Sequence, residues 1–149
     1  MLGSLGFSSG TPSWVGIIPL RIGTGLTLFY LHGWSEASGA VRHLWDSNVH
    51  WGLIALLEKA TMPYPNFLAY IATIIGVSTA VFWMVGFLTR FFATLFVPLA
   101  IGVIVVANHL GETGAAEAGI LYLFVAFTLI INGSGWFSVD ALFERERIQ

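Results

Sequence analysis

The sequence predicts an all-α, polytopic membrane protein: a four-transmembrane-helix bundle with an interfacial or re-entrant segment between helices 1 and 2. Composition and apolar run length indicate this fold class. Of the 149 residues, 56% are hydrophobic and only 9% are charged, and the mean hydropathy is +0.82. A soluble domain is usually about one-quarter charged, whereas about 20 apolar residues cross a bilayer core of roughly 30 Å. We expect residues 1–149 to form a single transmembrane domain.

Four apolar runs define the predicted spans. They cover about residues 14–34, 67–88, 91–108 and 114–131. Only Leu88, Thr89 and Arg90 remain between spans two and three, so these two spans are expected to form a tight antiparallel hairpin. The turn-forming residues 132–135 end span four.

The longest polar-containing stretch, residues 35–66, separates spans one and two. Apolar and polar residues alternate there too closely for a span, which favours a helix at the membrane interface or a shallow re-entrant segment. Trp34, Trp45 and Trp51 are aromatic residues of the kind that lies at the headgroup level. Pro65 is suited to the first turn of the second span, where proline is tolerated.

Basic residues in the short connections predict the orientation. With four spans, the two termini and the second connection share one side. That side holds Arg90, Arg145 and Arg147, whereas the opposite side holds Arg42 and Lys59. The positive-inside rule then places both termini in the cytoplasm, and all four histidines on or near the outer side.

Cysteine and net charge exclude several classes of function. The chain has no cysteine, which excludes a disulfide framework, a CxxC redox pair, a thiolate nucleophile and a cysteine-ligated iron–sulfur cluster. The net charge of −2 gives no polybasic patch for nucleic acid. No catalytic residue is predicted, and the protein is not expected to be catalytic alone.

Arg21 is the most informative single residue. It lies seven positions into the first run, about 10 Å along a helix, where an ionisable residue usually faces protein, water or a partner. At 100° per residue, Gly25, Leu28, His32 and Glu36 fall near the same face. Two interpretations stay open: Arg21 faces a ligand inside the bundle, or it snorkels to the cytoplasmic surface.

A second group of polar residues is expected at the outer ends of the spans. It comprises His32, His109, Glu112 and Glu117. These side chains could be solvated or hydrogen-bonded, handle quinone or protons, or bind a metal or haem through His32 and His109. Neither HExxH nor a Glu-x-x-His pair occurs, so no metal site is predicted. No intrinsic cofactor is expected; quinone, lipid and a pigment or haem held by a partner stay open.

Several motifs resemble those of the DoxX-like integral membrane protein family. They are residues 21–26 with 30–34, residues 85–91, and residues 117–122 with 133–140. The resemblance runs from about Arg21 to Asp140. It implies a four-helix bundle in the bacterial cytoplasmic (inner) membrane. It also implies association with membrane oxidoreductase assemblies, including a quinone-linked thiosulfate oxidation system.

The chain departs from the family pattern at two positions. Glu36 stands where many members carry lysine, and residues 73–78 lack the carboxylate that many members carry in span two. Both departures favour a supporting subunit over a self-sufficient enzyme.

Two functions of different class are therefore predicted. In the first, the protein is the membrane anchor or quinone-interacting subunit of a larger redox complex, with electrons supplied by a partner. In the second, it is a purely structural accessory subunit with no redox chemistry of its own. A transporter is a third, less favoured interpretation, because the spans show no clear inverted repeat. The predicted partners are the lipid bilayer, other membrane subunits and quinone.

One structural pair is also predicted. Arg21 and Asp140 both belong to the family pattern and both approach the cytoplasmic side. We expect them to form an ion pair that fastens span one to the C-terminal segment.

Overall fold

The computed structural model describes residues 14–133, and every regular element in that range is helical. The order along the chain is α1 (Trp14–Leu28), a π-helical segment (Phe29–Gly33), α2 (Trp34–Trp45), α3 (Gly52–Lys59), α4 (Pro65–Val85), α5 (Thr89–Leu110) and α6 (Thr113–Asn132). Asp140, Arg145 and Arg147 lie outside the described residues, so the structure bears on none of the predictions made for them.

Three helices of the described range are long and apolar enough to cross a bilayer. They are α4, α5 and α6, with 21, 22 and 20 residues, or about 30 Å each at 1.5 Å per residue. Their bounds lie close to the predicted runs. Pro65 occupies the first turn of α4, as expected. The protein is therefore a helical membrane protein.

The helix that contains the first predicted run is longer and less regular than expected. Leu28 (φ −61°, ψ −42°) and Trp34 (φ −66°, ψ −46°) both have α-helical backbone angles on either side of the π-helical segment. Helix α1 therefore continues through that segment into α2, and residues 14–45 form one uninterrupted helical rod. The stretch that links this rod to α4 contains one short helix, α3.

The rod runs antiparallel to α4. A Cβ on Gly25 would lie 2.8 Å from the Ala80 carbonyl oxygen, and a Cβ on Gly33 would lie 3.7 Å from Cγ2 of Val77. Further along, the rings of His43 and Tyr70 have centroids 6.2 Å apart. The sequence numbers rise along one helix as they fall along the other. Helix α1 thus accompanies the half of α4 near Val85, and α2 accompanies the half near Pro65.

The remaining helices close the core around α4. Helix α4 packs on α5, α5 packs most extensively on α6, and α6 also touches α1. Trp83 and Leu129 are fully buried at the centre, with Phe96 beside the Trp83 ring. A second apolar cluster joins α3 to α4 and α5 through Leu57, Ala69 and Val106 among others.

The predicted hairpin between spans two and three is present as a three-residue turn, Gly86 to Leu88. Gly86 (φ 74°) and Leu88 (φ 49°) are both left-handed, which reverses the chain. Phe82 and Phe92 then stack across the hairpin, with ring centroids 4.1 Å apart.

Candidate functional site

The rod residues that were predicted to share one inward face, from Arg21 to Glu36, do not all face inward. Arg21 is 2% exposed and Leu28 is 7% exposed, whereas His32 is exposed and Gly33 is buried. A π-helix bonds residue i to i+5 and so contains an extra residue per turn. After Leu28, the next buried residue on this face is therefore Gly33. The regular 100° spacing, which predicted that His32 faces inward, fails at this residue.

Arg21 is enclosed by protein. It lies one helical turn before Gly25, which places it level with the end of α4 and the turn into α5. Its side chain is among the largest fully buried ones, and it is engaged by a partner. Its burial shows that the side chain points into the protein, and a role for Arg21 toward a ligand stays a prediction. Its pairing with Asp140 stays a prediction, because Asp140 lies outside the described residues.

Glu36 belongs to a group of residues at the end of the bundle that the sequence predicts to face outward. We call this group, which comprises Glu36, Gly39, His43, Trp51 and Tyr70, the outer cluster. The Trp51 indole Nε1–H donates a hydrogen bond of 2.8 Å to Oε2 of Glu36. Trp51 is only 4% exposed, and a Cβ on Gly39 would lie 2.6 Å from its Cδ1 atom. Glycine at position 39 thus lets the indole lie against α2.

The loop between α2 and α3 places Trp51 in this cluster. Asp46 ends α2 with an extended backbone (φ −141°), and its Oδ1 accepts a 3.0 Å hydrogen bond from the Asn48 N–H. The Val49 N–H donates to the Asp46 carbonyl at 3.0 Å. This local turn returns the chain along α2, so Trp51, the residue before α3, lies beside Glu36.

His43 contacts both aromatic rings of the outer cluster. Its Nδ1 lies 3.1 Å from the Val49 carbonyl oxygen, which only a protonated Nδ1 can satisfy. The neutral ring therefore presents Nε2 as an acceptor. The ring centroids of His43, Trp51 and Tyr70 lie 5.1 to 6.2 Å apart. The His43 imidazole, the Tyr70 ring and the Glu36 carboxylate thus all lie next to the Trp51 indole, a combination able to orient a polar head group.

Only part of this cluster was predicted from the sequence. Glu36 was a predicted site residue and Trp51 a predicted interfacial ring, whereas no role was predicted for Gly39, His43 or Tyr70. The signal was visible in the spacing: Glu36, Gly39 and His43 recur at intervals of three and four on one helix, which places them on one face.

The other predicted site residues lie on the surface. His32, His109, Glu112 and Glu117 are all exposed, at the π-helical segment, the end of α5 and the start of α6. Within residues 14–133 no hydrogen bond or ion pair joins them, and no group of three metal-binding side chains occurs. His32 lies level with the middle part of α4, whereas His109, Glu112 and Glu117 lie near the ends of their helices. The role of His32 and His109 as ligands stays a prediction.

Arg90 contacts the end of α6, at the end of the bundle opposite the outer cluster. Its Nη2 donates to the Ile131 carbonyl at 3.4 Å, near the end of α6. A Cβ on Gly133 (φ 76°) would lie 3.0 Å from Nε of Arg90. A cation beside the last carbonyls of a helix is favourable, so Arg90 links the start of α5 to the end of α6.

Helix α4 carries three buried polar atoms that lack a hydrogen-bond partner among the described residues. Thr73, Thr79 and Trp83 are 8%, 0% and 0% exposed. Among the described residues, none bonds the hydroxyls of the two threonines or the indole N–H of Trp83. A water or ligand atom reaching this part of the interior would gain a hydrogen bond there.

These features define a small helical membrane protein with a buried arginine near one end and a His–Glu–aromatic cluster near the other. The sequence profile of the family described as TQO small subunit DoxD matches residues 47–149. The match covers most of the chain, and the protein belongs to this family, which confirms the DoxX-like resemblance. It begins between α2 and α3, so the motifs around Arg21 and His32 precede it. No curated protein and no solved structure matches the chain.

Proposed function

We propose that this protein is the membrane anchor or quinone-interacting subunit of a larger redox complex. The observation that carries the proposal is its membership in a family of small subunits, which implies further subunits in the membrane. The chain has no cysteine and so no thiolate ligands for an iron–sulfur cluster. Electrons for quinone chemistry must therefore come from a group held by a partner.

The proposal includes a four-helix bundle in the bacterial cytoplasmic membrane with both termini in the cytoplasm. The rod of residues 14–45 is the fourth crossing helix, because it accompanies α4, which is long enough to span. The linking stretch with α3 lies at the outer interface. Cysteines introduced at Ser47 and Ile148 test this, since the native chain has none. An impermeant thiol reagent should label position 47 in intact cells and position 148 only after lysis; the reverse pattern refutes the orientation.

The outer cluster is the best-supported place for a quinone head group. A quinone site needs an apolar slot with a few polar groups, and His43, Tyr70 and Glu36 supply polar groups from two helices. The predicted candidates Arg21, His32, Glu36, His109, Glu112 and Glu117 share only Glu36 with this cluster.

The test compares complexes purified from native membranes under mild detergent. The wild-type preparation should contain other membrane subunits, extractable quinone and the visible spectrum of a partner-held redox group. His43→Phe keeps an aromatic ring but removes the acceptor nitrogen, and should lower the quinone content. His50→Phe is the matched control, because His50 is exposed on the loop that follows α2. An equal quinone content in all three preparations would exclude the outer cluster as the binding site.

The purely structural accessory subunit is the second candidate. One observation favours it: Glu36, which stands in place of the usual family lysine, is held by the Trp51 indole and so serves the packing of α3. A complex whose quinone content and turnover persist when this subunit is removed would establish that reading. Steady quinone reduction by the isolated subunit would exclude it.

A further inference from the structure

The sequence predicted His32 near the outer end of the first span, whereas the packing of the rod on α4 places this exposed residue level with the middle part of α4. Its neighbour Gly33 lies beside Val77, with 3.7 Å between a Cβ at position 33 and Cγ2 of Val77. Along α4, Val77 is about 18 Å from Pro65 and about 12 Å from Val85 at 1.5 Å per residue. The imidazole of His32 is therefore far from both ends of α4.

The other exposed charged groups on the long helices can reach the headgroups. Arg90 begins α5, His109 nearly ends it, and Glu117 lies in the second turn of α6. Arg42 precedes His43, whose ring meets Tyr70 in the second turn of α4. Side chains in such places snorkel to the interface. The short side chain of His32 cannot cover a comparable distance.

Several hydroxyl groups on the long helices are bonded within the helix that carries them. The hydroxyls of Thr27, Thr94 and Thr128 donate to the carbonyls four residues earlier, at 2.8, 2.9 and 2.8 Å. Ser35 likewise donates to the backbone carbonyl of His32 at 3.0 Å. Within residues 14–133, no group bonds the imidazole of His32 itself. An unpaired polar group facing lipid is strongly disfavoured, so intramembrane histidines almost always face protein or a water-filled cavity.

We propose that the surface formed by Thr27, Leu31, His32 and Ser35, which we call the His32 face, packs against a transmembrane helix of a larger partner subunit. That helix is apolar except for one side chain that hydrogen-bonds the imidazole. This inference rests on the proposed function as a subunit. All four residues are exposed, and the two hydroxyls are already bonded within the rod. The small side chains of Thr27 and Ser35 allow another helix to approach closely.

A photo-crosslinking experiment locates the partner. Leu31 is 58% exposed and adjoins His32, and Leu121 on α6 is 67% exposed. Each is replaced by cysteine in the cysteine-free chain and labelled with benzophenone maleimide in native membranes. Leu31→Cys should yield a cross-link to a transmembrane peptide of another subunit, and Leu121→Cys is the lipid-facing control. Products of Leu31→Cys with lipid alone, or with a second copy of this chain, would overturn the proposal.

Substitution of His32 then tests the hydrogen bond. His32→Leu should leave the thermal stability of the isolated subunit unchanged, because none of residues 14–133 bonds the imidazole. It should lower the apparent affinity for the larger subunit by roughly 3- to 20-fold, the factor for one hydrogen bond between membrane helices. His32→Gln, which keeps donor and acceptor atoms, should restore part of the loss.

The outcomes separate this inference from the proposed function. A wild-type protein that purifies from native membranes without other subunits refutes the subunit function. A wild-type complex that is intact, with a His32→Leu complex of equal stability, refutes only the assignment of the His32 face.

Discussion

Replacing Gly25 by alanine should destabilise the protein, because the backbones of α1 and α4 approach too closely for a methyl group. The new Cβ would lie 2.8 Å from the Ala80 carbonyl oxygen and 3.1 Å from the Met84 nitrogen. Favourable contacts between such atoms begin at about 3.5 Å, so α1 must retreat by about half an ångström. Both contacts are with backbone atoms, and no rotamer change relieves them.

The expected size follows from two opposing effects. Overpacking of this kind costs about 1–3 kcal/mol, and alanine in a helix recovers up to about 1 kcal/mol relative to glycine. We expect the free energy of unfolding to fall by about 1–2 kcal/mol. Unfolding of the purified protein in mixed micelles, driven by dodecyl sulfate and followed by circular dichroism, measures this change.

Gly23→Ala is the matched control, two residues away on the same helix. Among the described residues, no atom lies within 4 Å of its added Cβ. This variant should be neutral or slightly more stable than the wild type. Equal stability of Gly25→Ala and Gly23→Ala would show that the register of α1 on α4 is wrong, and with it the depth assigned to His32.

Three further predictions concern polar contacts, each measured by the same unfolding assay. Trp51→Phe and Glu36→Leu, each of which removes one hydrogen-bonding group, should show a coupling energy of about 1–2 kcal/mol in a double-mutant cycle, because the indole–carboxylate hydrogen bond is half-buried; additive losses would contradict it. If Arg21 and Asp140 pair, Arg21→Ala and Asp140→Ala should lower stability by similar amounts, and the double mutant should be little worse than either; full additivity would exclude the pair. Arg90→Gln should cost only about 0.3–1 kcal/mol, since its cation meets the α6 C-terminus at an exposed site; a larger loss would indicate a buried role.

The sequence predicted α4, α5 and α6 closely because each is a long apolar run bounded by glycine or proline. The first helix was predicted less well. No local signal marks the π-helical segment Phe29–Gly33, since its residues are equally compatible with an α-helix. A regular 100° step therefore placed His32 on the inward face, where the structure has Gly33.

The outer cluster shows a second limit of prediction. Glu36 and Trp51 are separated by 15 residues, and their meeting depends on how the Asp46 turn returns the chain along α2. Helical spacing could place Gly39 and His43 on the face of Glu36. It could not reveal that an indole from another helix covers that face, because this is a tertiary contact.

The turn between α4 and α5 also constrains how the protein enters the membrane during synthesis. Gly86 to Leu88 can span at most about 10 Å when fully extended, which is close to the distance between the axes of two packed helices. Helix α5 must therefore lie directly beside α4 in the bilayer. We therefore expect α4 and α5 to enter the bilayer as neighbours, and a topology reporter placed in this turn should force apart the stacked rings of Phe82 and Phe92.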